Sequence, residues 1–287
     1  MPVDDVYEKF DEKNGYVLLK RDVADEKVKE LENLSLRDLI FEPKSKRSYP
    51  NGGHAAHLIG FLDSERKGAM GVERLMEANL RGEAGERLVE IDRQRREIAA
   101  FRRSDQPAVD GNQVVLTIDL SIQHAVEEQL DQIVAEYRPN KAYAVVVRPQ
   151  TGEILAMASR PSFNPNDRST LKPQVARNFC LTDSVEPGSI FKIVAVAAGI
   201  NDGLVTKHTP IYCEEGKFFF AGHYLNDHHP YEVLTVAEVM AYSSNIGIAK
   251  IALNLGQNRL HDYVRSFGFG EPTRLMAGQG ETAGGVR

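Results

Sequence analysis

Along the first hundred residues, apolar positions recur at helical spacing inside a heavily charged background. Over 22–39, Val28, Leu31 and Leu34 stand three residues apart among acidic and basic side chains, which predicts a surface amphipathic helix. Residues 41–49 are basic and read as extended, ending at Pro50. Asn51-Gly52-Gly53 is a turn, and 55–61 is a short apolar stretch. A second helix is expected over 68–80, with Val72, Leu75, Met76 and Leu80 on one face; residues 81–85 break it. The run 88–101 and the two arginines after it are strongly charged (Arg93, Arg95, Arg96, Arg102, Arg103) and read as a solvated strand or hairpin face.

The pattern changes after 105–111, where Pro107, Asp110 and Gly111 mark a candidate boundary with few packed contacts across it. A strand is expected over 114–118. A helix follows over 121–137, with Ile122, Val126, Leu130, Ile133 and Val134 on one stripe. Residues 142–147 and 153–158 read as two strands joined through Arg148-Pro149-Gln150-Thr151-Gly152. A Pro/Asn/Ser loop covers 160–173. The most apolar helix opens at Gly188 and runs to about Gly199, and two more occupy 235–242 and 245–255 around a Ser243-Ser244 break.

Bulk numbers exclude some functions. The 287 residues are 42% hydrophobic and 26% charged, which suits a folded globular protein of one large or two medium domains. A formal net charge of −6, with both signs spread along the chain, leaves no basic footprint for nucleic acid. Cys180 and Cys213 are too few for a disulfide framework and lack metal-site spacing, so two buried or half-buried thiols are expected, with a single disulfide as the alternative. No apolar run approaches the ~20 residues of a membrane helix. Met1 is followed by Pro2-Val3-Asp4-Asp5, which is not a signal peptide and fits a chain whose first segment is missing.

Candidate chemistry lies at Pro187-Gly188-Ser189-Ile190-Phe191-Lys192. Pro and Gly signal a helix start, which puts Ser189 at the N-terminus where the helix dipole favours developing negative charge. Lys192, three residues on, shares its face. A serine hydroxyl needs a base to become a nucleophile, and a lysine serves when burial lowers its pKa. Ile190, Phe191, Ile193 and Val194 are expected to supply that apolar setting. Taken alone, the spacing is more often a capping serine and a snorkelling lysine. Ser243-Ser244-Asn245, about 50 residues later, changes the weighing, because Ser-x-x-Lys with a Ser-x-Asn element is the pairing of penicillin-binding proteins and class A β-lactamases. Ser243 can carry a proton between the lysine and a leaving amine, and Asn245 can hold a substrate amide. His223, His228 and His229 with Asp227 suggest a metal cluster, but their spacing matches no strong zinc pattern and they read as loop residues. Arg47 and Tyr49 read as packing residues.

Glu186-Pro187-Gly188-Ser189-Ile190-Phe191-Lys192 and Tyr242-Ser243-Ser244-Asn245-Ile246-Gly247 resemble the active-site runs of class B penicillin-binding proteins. Further stretches agree in order: Leu116-Thr117-Ile118-Asp119 with Gln123, residues 149–158 and 161–166, and Phe267-Gly268-Phe269-Gly270. Upstream, Arg47-Ser48-Tyr49-Pro50, Gly60-Phe61, and 68–82 resemble the family's non-catalytic pedestal.

The resemblance implies an α+β fold: a pedestal (dimerisation-type) domain over 1–108, incomplete at its start, then a transpeptidase domain of serine β-lactamase type over 109–287, an antiparallel sheet packed against helices. It implies a peptidoglycan D,D-transpeptidase in which Ser189, Lys192 and Ser243 are catalytic and Asn245 binds substrate, with no metal or organic cofactor. Implied partners are peptidoglycan stem peptides, β-lactam antibiotics, a membrane glycosyltransferase and division or elongation proteins. The implied location is the extracytoplasmic face of the bacterial cytoplasmic membrane. The family's Lys-Thr-Gly strand and its membrane anchor are not found, so a fragment cut at both ends and inactive or nearly so is expected. The alternatives are a β-lactamase or D,D-carboxypeptidase of the same fold, and an inactive scaffold of the cell-wall machinery.

Overall fold

The structure is a computed structural model and describes residues 17–21, 23–34, 36, 39–42, 46–90 and 104–276. The chain forms two compact units, residues 1–48 and 49–287. In the first unit the amphipathic pattern yields one helix, α1 (Asp25–Glu32), shorter than the 22–39 expected. None of its residues is buried and Leu34 and Leu36 are exposed, so no packed face offsets the cost of extending it.

The second unit opens on α2 (Ala56–Ile59), which buries Ala56, His57 and Leu58. The single helix expected over 68–80 is two, α3 (Gly71–Leu75) and α4 (Glu77–Leu80), because Met76 leaves helical geometry at φ −106°. The Glu77 carboxylate accepts the Gly68 N–H at 2.7 Å and folds the segment back on its start. Strands β1 (Glu86–Leu88) and β2 (Ser104–Gln106) pair antiparallel, as a hairpin requires. Most of the arginine run between them lies outside the described residues.

The strand expected over 114–118 does not form a ladder. Only the Asp119 N–H to Leu155 O bond (2.9 Å) and the Thr117 hydroxyl to Ile154 O bond (2.6 Å) tie it to the sheet, while Leu116 and Ile118 turn into the core. Helix α5 (Leu120–Tyr137) starts where Asp119 accepts the Ser121 and Ile122 N–H groups. Its buried stripe is not the apolar one expected: Gln123, Glu127 and Leu130 are buried, and Ile133 is exposed. Gln123 explains this. Its amide takes both the Met157 N–H (2.8 Å) and the Met157 carbonyl (3.0 Å), so it completes a strand residue's hydrogen bonds from a helix. The expected hairpin is present as β3 (Ala142–Val147) against β4 (Ile154–Arg160).

Beyond the loop, α6 (Phe179–Thr182) leads to α7 (Lys192–Asn201). Residues 206–234, without clean periodicity, form β5 (Pro210–Tyr212) paired with β8 (Val233–Thr235), and between them the hairpin β6 (Lys217–Phe220)–β7 (His223–Asn226). Helices α8 (Val236–Ala241) and α9 (Asn245–Leu255) flank Ser243-Ser244 as expected, and α10 (Gln257–Ser266) follows.

One apolar cluster joins Ala55 and Leu58 to Met157, Leu181 and Met276. Packed contacts therefore cross residue 108 freely, and the sparse contact expected there is not found. Two further clusters, Val196-Val205-Val236-Ile251 and Cys213-Leu234-Val239, share Ile211 and Ile248 and clamp α7, α8 and α9 together.

Candidate active site

Ser189 sits where the backbone is forced to turn. Pro187 is helical (φ −68°), Gly188 is left-handed at φ +58°, and 188–191 form a 3₁₀ turn that feeds α7. Ser189 thus lies at the N-terminal end of the helix, as expected, in the 3₁₀ turn that leads into it. The turn is less apolar in its surroundings than expected. Ile190 is 74% and Ile193 48% exposed; Val194 alone is fully buried, and Phe191 packs edge-on to Phe269 at 5.1 Å.

The second motif is placed by a tight helix junction. Thr235 and Glu238 form a capping box at the start of α8. After Tyr242, Ser243 takes a left-handed φ of +55°, a conformation that costs a non-glycine residue roughly 1–2 kcal/mol. Ser244 caps α9, its Oγ accepting the Gly247 N–H at 2.9 Å. Gly247 allows that junction: a Cβ there would meet Val239 Cγ2 at 2.5 Å.

These turns bring all four expected residues together. Lys192 Nζ donates to the Ser243 carbonyl (2.5 Å), Ser243 Oγ (2.9 Å) and Asn245 Oδ1 (2.7 Å). Ser243 Oγ donates to Ser189 Oγ at 3.1 Å. No hydrogen bond links Ser189 and Lys192 directly; Ser243 stands between them. Burial lowers the Lys192 pKa, and the Asp227 charge opposes that shift. The second end of the Asn245 amide donates to the Asn226 carbonyl at 2.8 Å.

Sequence reasoning missed Asp227. It grouped the residue with His223, His228 and His229, which lie exposed; His229 packs edge-on to Tyr231. The Asp227 carboxylate instead accepts the Asn245 N–H (2.5 Å), the Ile246 N–H (3.1 Å) and the Ser244 hydroxyl (2.6 Å). No local pattern announces this, because the cap comes from another strand. Both cysteines are free: Cys213 is buried 3.6 Å from Ser244 Oγ, and Cys180 is half-buried against Ser159. Burial raises both thiol pKa values. Tyr49 packs as expected, its hydroxyl accepting the Leu62 N–H at 3.2 Å. No helix among the described residues is long and apolar enough to cross a membrane.

The chain is similar to known proteins over most of its length. The profile "Penicillin binding protein transpeptidase domain" matches residues 142–286, and "Penicillin-binding Protein dimerisation domain" matches residues 2–116. The peptidoglycan D,D-transpeptidase FtsI of Escherichia coli (strain K12) is 34% identical over 92% of this chain and 44% of its own length. The probable peptidoglycan D,D-transpeptidase PenA of Neisseria meningitidis (strain Z2491) is 32% identical over 100% of this chain and 49% of its own. The chain therefore spans about half the length of the curated relatives it matches. Among solved structures, penicillin binding protein 3 of Mycobacterium tuberculosis, complexed with aztreonam, superposes with a TM-score of 0.71 at 32% identity, over 84% of this chain and 50% of that one. A peptidoglycan synthetase of Bifidobacterium adolescentis reaches 0.76 at 25% identity, over 100% of this chain and 52% of that one. Two ordered motifs meeting at one cluster, and two profiles that together run from residue 2 to residue 286, place this chain in the class B penicillin-binding proteins.

Proposed function

We propose that the whole protein is a peptidoglycan D,D-transpeptidase with Ser189 as nucleophile, Lys192 as base, Ser243 as proton relay and Asn245 as substrate-binding residue. The hydrogen-bond chain Lys192–Ser243–Ser189 carries this reading. A neutral lysine amine has two N–H donors and one lone pair. The Ser243 carbonyl and Asn245 Oδ1 are acceptors only, and they suit the two donors. The lone pair then faces the Ser243 hydroxyl, which turns its one hydrogen from Ser189 to Lys192 and accepts the Ser189 hydroxyl in its place. As Ser189 Oγ attacks the penultimate D-Ala carbonyl of a stem peptide, its proton passes to Ser243 Oγ, and the Ser243 proton passes to Lys192. Reversal of the relay protonates the leaving D-Ala amine. An amine of a neighbouring stem then resolves the acyl-enzyme and forms the cross-link.

β-Lactams would acylate the same serine. The other partners of this reading are a membrane glycosyltransferase and division or elongation proteins, at the extracytoplasmic face of the cytoplasmic membrane. Residues 1–108 act as pedestal and 109–287 as the catalytic part, and the two profile matches support that division.

The test is incubation of the full-length protein with a stem pentapeptide, with and without an amine acceptor. Release of D-Ala coupled to cross-linked product supports the transpeptidase. Release with hydrolysis only supports a carboxypeptidase, and release in neither condition, with no label from a fluorescent penicillin, supports a scaffold.

A further inference from the structure

The cluster just described has an anchor that no motif contains. Helix α9 begins immediately after Ser244, so its first N–H groups lack partners within the helix. Ser244 Oγ serves only the Gly247 N–H. The Asp227 carboxylate serves the Asn245 and Ile246 N–H groups, and its second oxygen holds the Ser244 hydroxyl. Bonds of an ionised carboxylate to N–H and O–H donors are among the stronger hydrogen bonds in proteins. Next to it, the Asn226 carbonyl holds the Asn245 amide. The end of β7 therefore grips both the backbone and the side chain of Asn245. Asp227 is itself fixed from behind, since its N–H donates to the carbonyl of buried Gly216 at 3.1 Å.

We propose that Asp227 is a positioning residue for the acyl-transfer reaction, holding Ser243 and Asn245 in register with Lys192 and setting the charge that the lysine meets. This rests on the nucleophile reading above. Asp227 does not touch Ser189; it acts through Ser244 and Asn245. Its charge favours the ammonium form of Lys192 while burial favours the neutral amine. Of the other titratable groups, Cys213, on the turn after β5, senses the charges of both Asp227 and Lys250 of α9, and His228 follows Asp227 in the chain. The Lys250 ammonium is held by Glu214 at 2.5 Å.

The test is the rate of acylation of the full-length protein by a fluorescent penicillin, followed between about pH 6 and 10. Asp227→Ala removes the cap and is expected to slow acylation about a hundredfold, the scale of a misplacement near 1 Å. Asp227→Asn keeps the shape and one acceptor oxygen but removes the charge. With the opposing charge gone, Lys192 loses its proton more easily, so the alkaline rise of the rate should move to lower pH. A purely structural role would leave that midpoint in place. If Asp227→Ala does not fold, Asp227→Asn carries the test. An Asp227→Asn profile with the parent's midpoint and a rate within about twofold of the parent's would overturn the proposal. Labelling that persists in Ser189→Ala would instead overturn the nucleophile reading on which it stands.

Discussion

Two carboxylates in this molecule do similar local chemistry to different ends. Glu127 is buried on α5 and accepts the Ala55 N–H (2.8 Å) and the Gln123 amide (2.6 Å); His54 Nδ1 lies at 2.7 Å and Arg160 at 3.5 Å. Asp227, at the end of β7, also accepts backbone N–H groups from a distant segment. The Glu127 cluster closes on itself. A guanidinium and an imidazole face its charge, and Arg160 is held further by Asp131. The Asp227 cluster stays open toward the proposed catalytic groups: its hydrogen bonds lead through Asn245 to Lys192, and from there through Ser243 to an exposed serine. A closed polar cluster fixes a junction. An open one transmits position and charge to the group at its far end.

The sharpest break of this contrast is Lys192→Met. It breaks the open cluster at its middle and should slow penicillin acylation by roughly 10²- to 10⁴-fold, the range for a lost general base. The melting temperature should hardly change, and a loss of folding in place of a loss of rate would count against the assignment. Glu127→Ala should do the reverse. It strands the Ala55 N–H and one hydrogen of the Gln123 amide, so unfolding in urea should show a loss of about 3 kcal/mol. Labelling of the protein that remains folded should stay within about twofold of the parent.

A smaller effect sharpens the comparison. His57, buried beside the Glu127 cluster, bonds the Val175 carbonyl at 2.7 Å. Desolvation, above all, lowers its pKa below the ordinary histidine value, with the Arg160 charge adding to it. The unfolded chain therefore binds this proton more readily than the folded one. Its contribution to stability is complete above about pH 6.5 and is lost as pH falls below that value. Thermal melts between about pH 7.5 and 5.5 should show the decline, and a variant lacking this imidazole should show a flatter one; equal slopes would refute the assignment.

Much of this was legible before any coordinates. The 142–158 hairpin has strict length and turn chemistry, and helices 235–242 and 245–255 carry apolar faces around a polar break, so local patterns sufficed. Ser189, Lys192, Ser243 and Asn245 were legible because two short motifs occur in a family order. What was not legible is non-local. Gln123 and Glu127 look like solvent-facing residues of an amphipathic helix, and only the approach of Met157 and Ala55 makes them core. Residues 114–118 have a strand's composition but reach the sheet's backbone through hydrogen bonds of Thr117 and of the neighbouring Asp119, with no ladder. Asp227 was noticed for the histidines beside it in sequence, whereas its partners begin 17 residues later. The i, i+3 spacing puts Ser189 and Lys192 on one face but does not say how they connect: Ser243 in its left-handed conformation enters between them.

Ser189 is the proposed site of acylation, and Lys192 and Ser243 are proposed to activate it. Mass spectrometry of the full-length protein after incubation with a penicillin, followed by proteolysis, reads this directly. The account predicts one added penicilloyl group on the peptide that contains Ser189. It also predicts a strong loss of that adduct in Lys192→Met and its absence in Ser189→Ala. An adduct on any other peptide, or undiminished modification in Ser189→Ala, would contradict it.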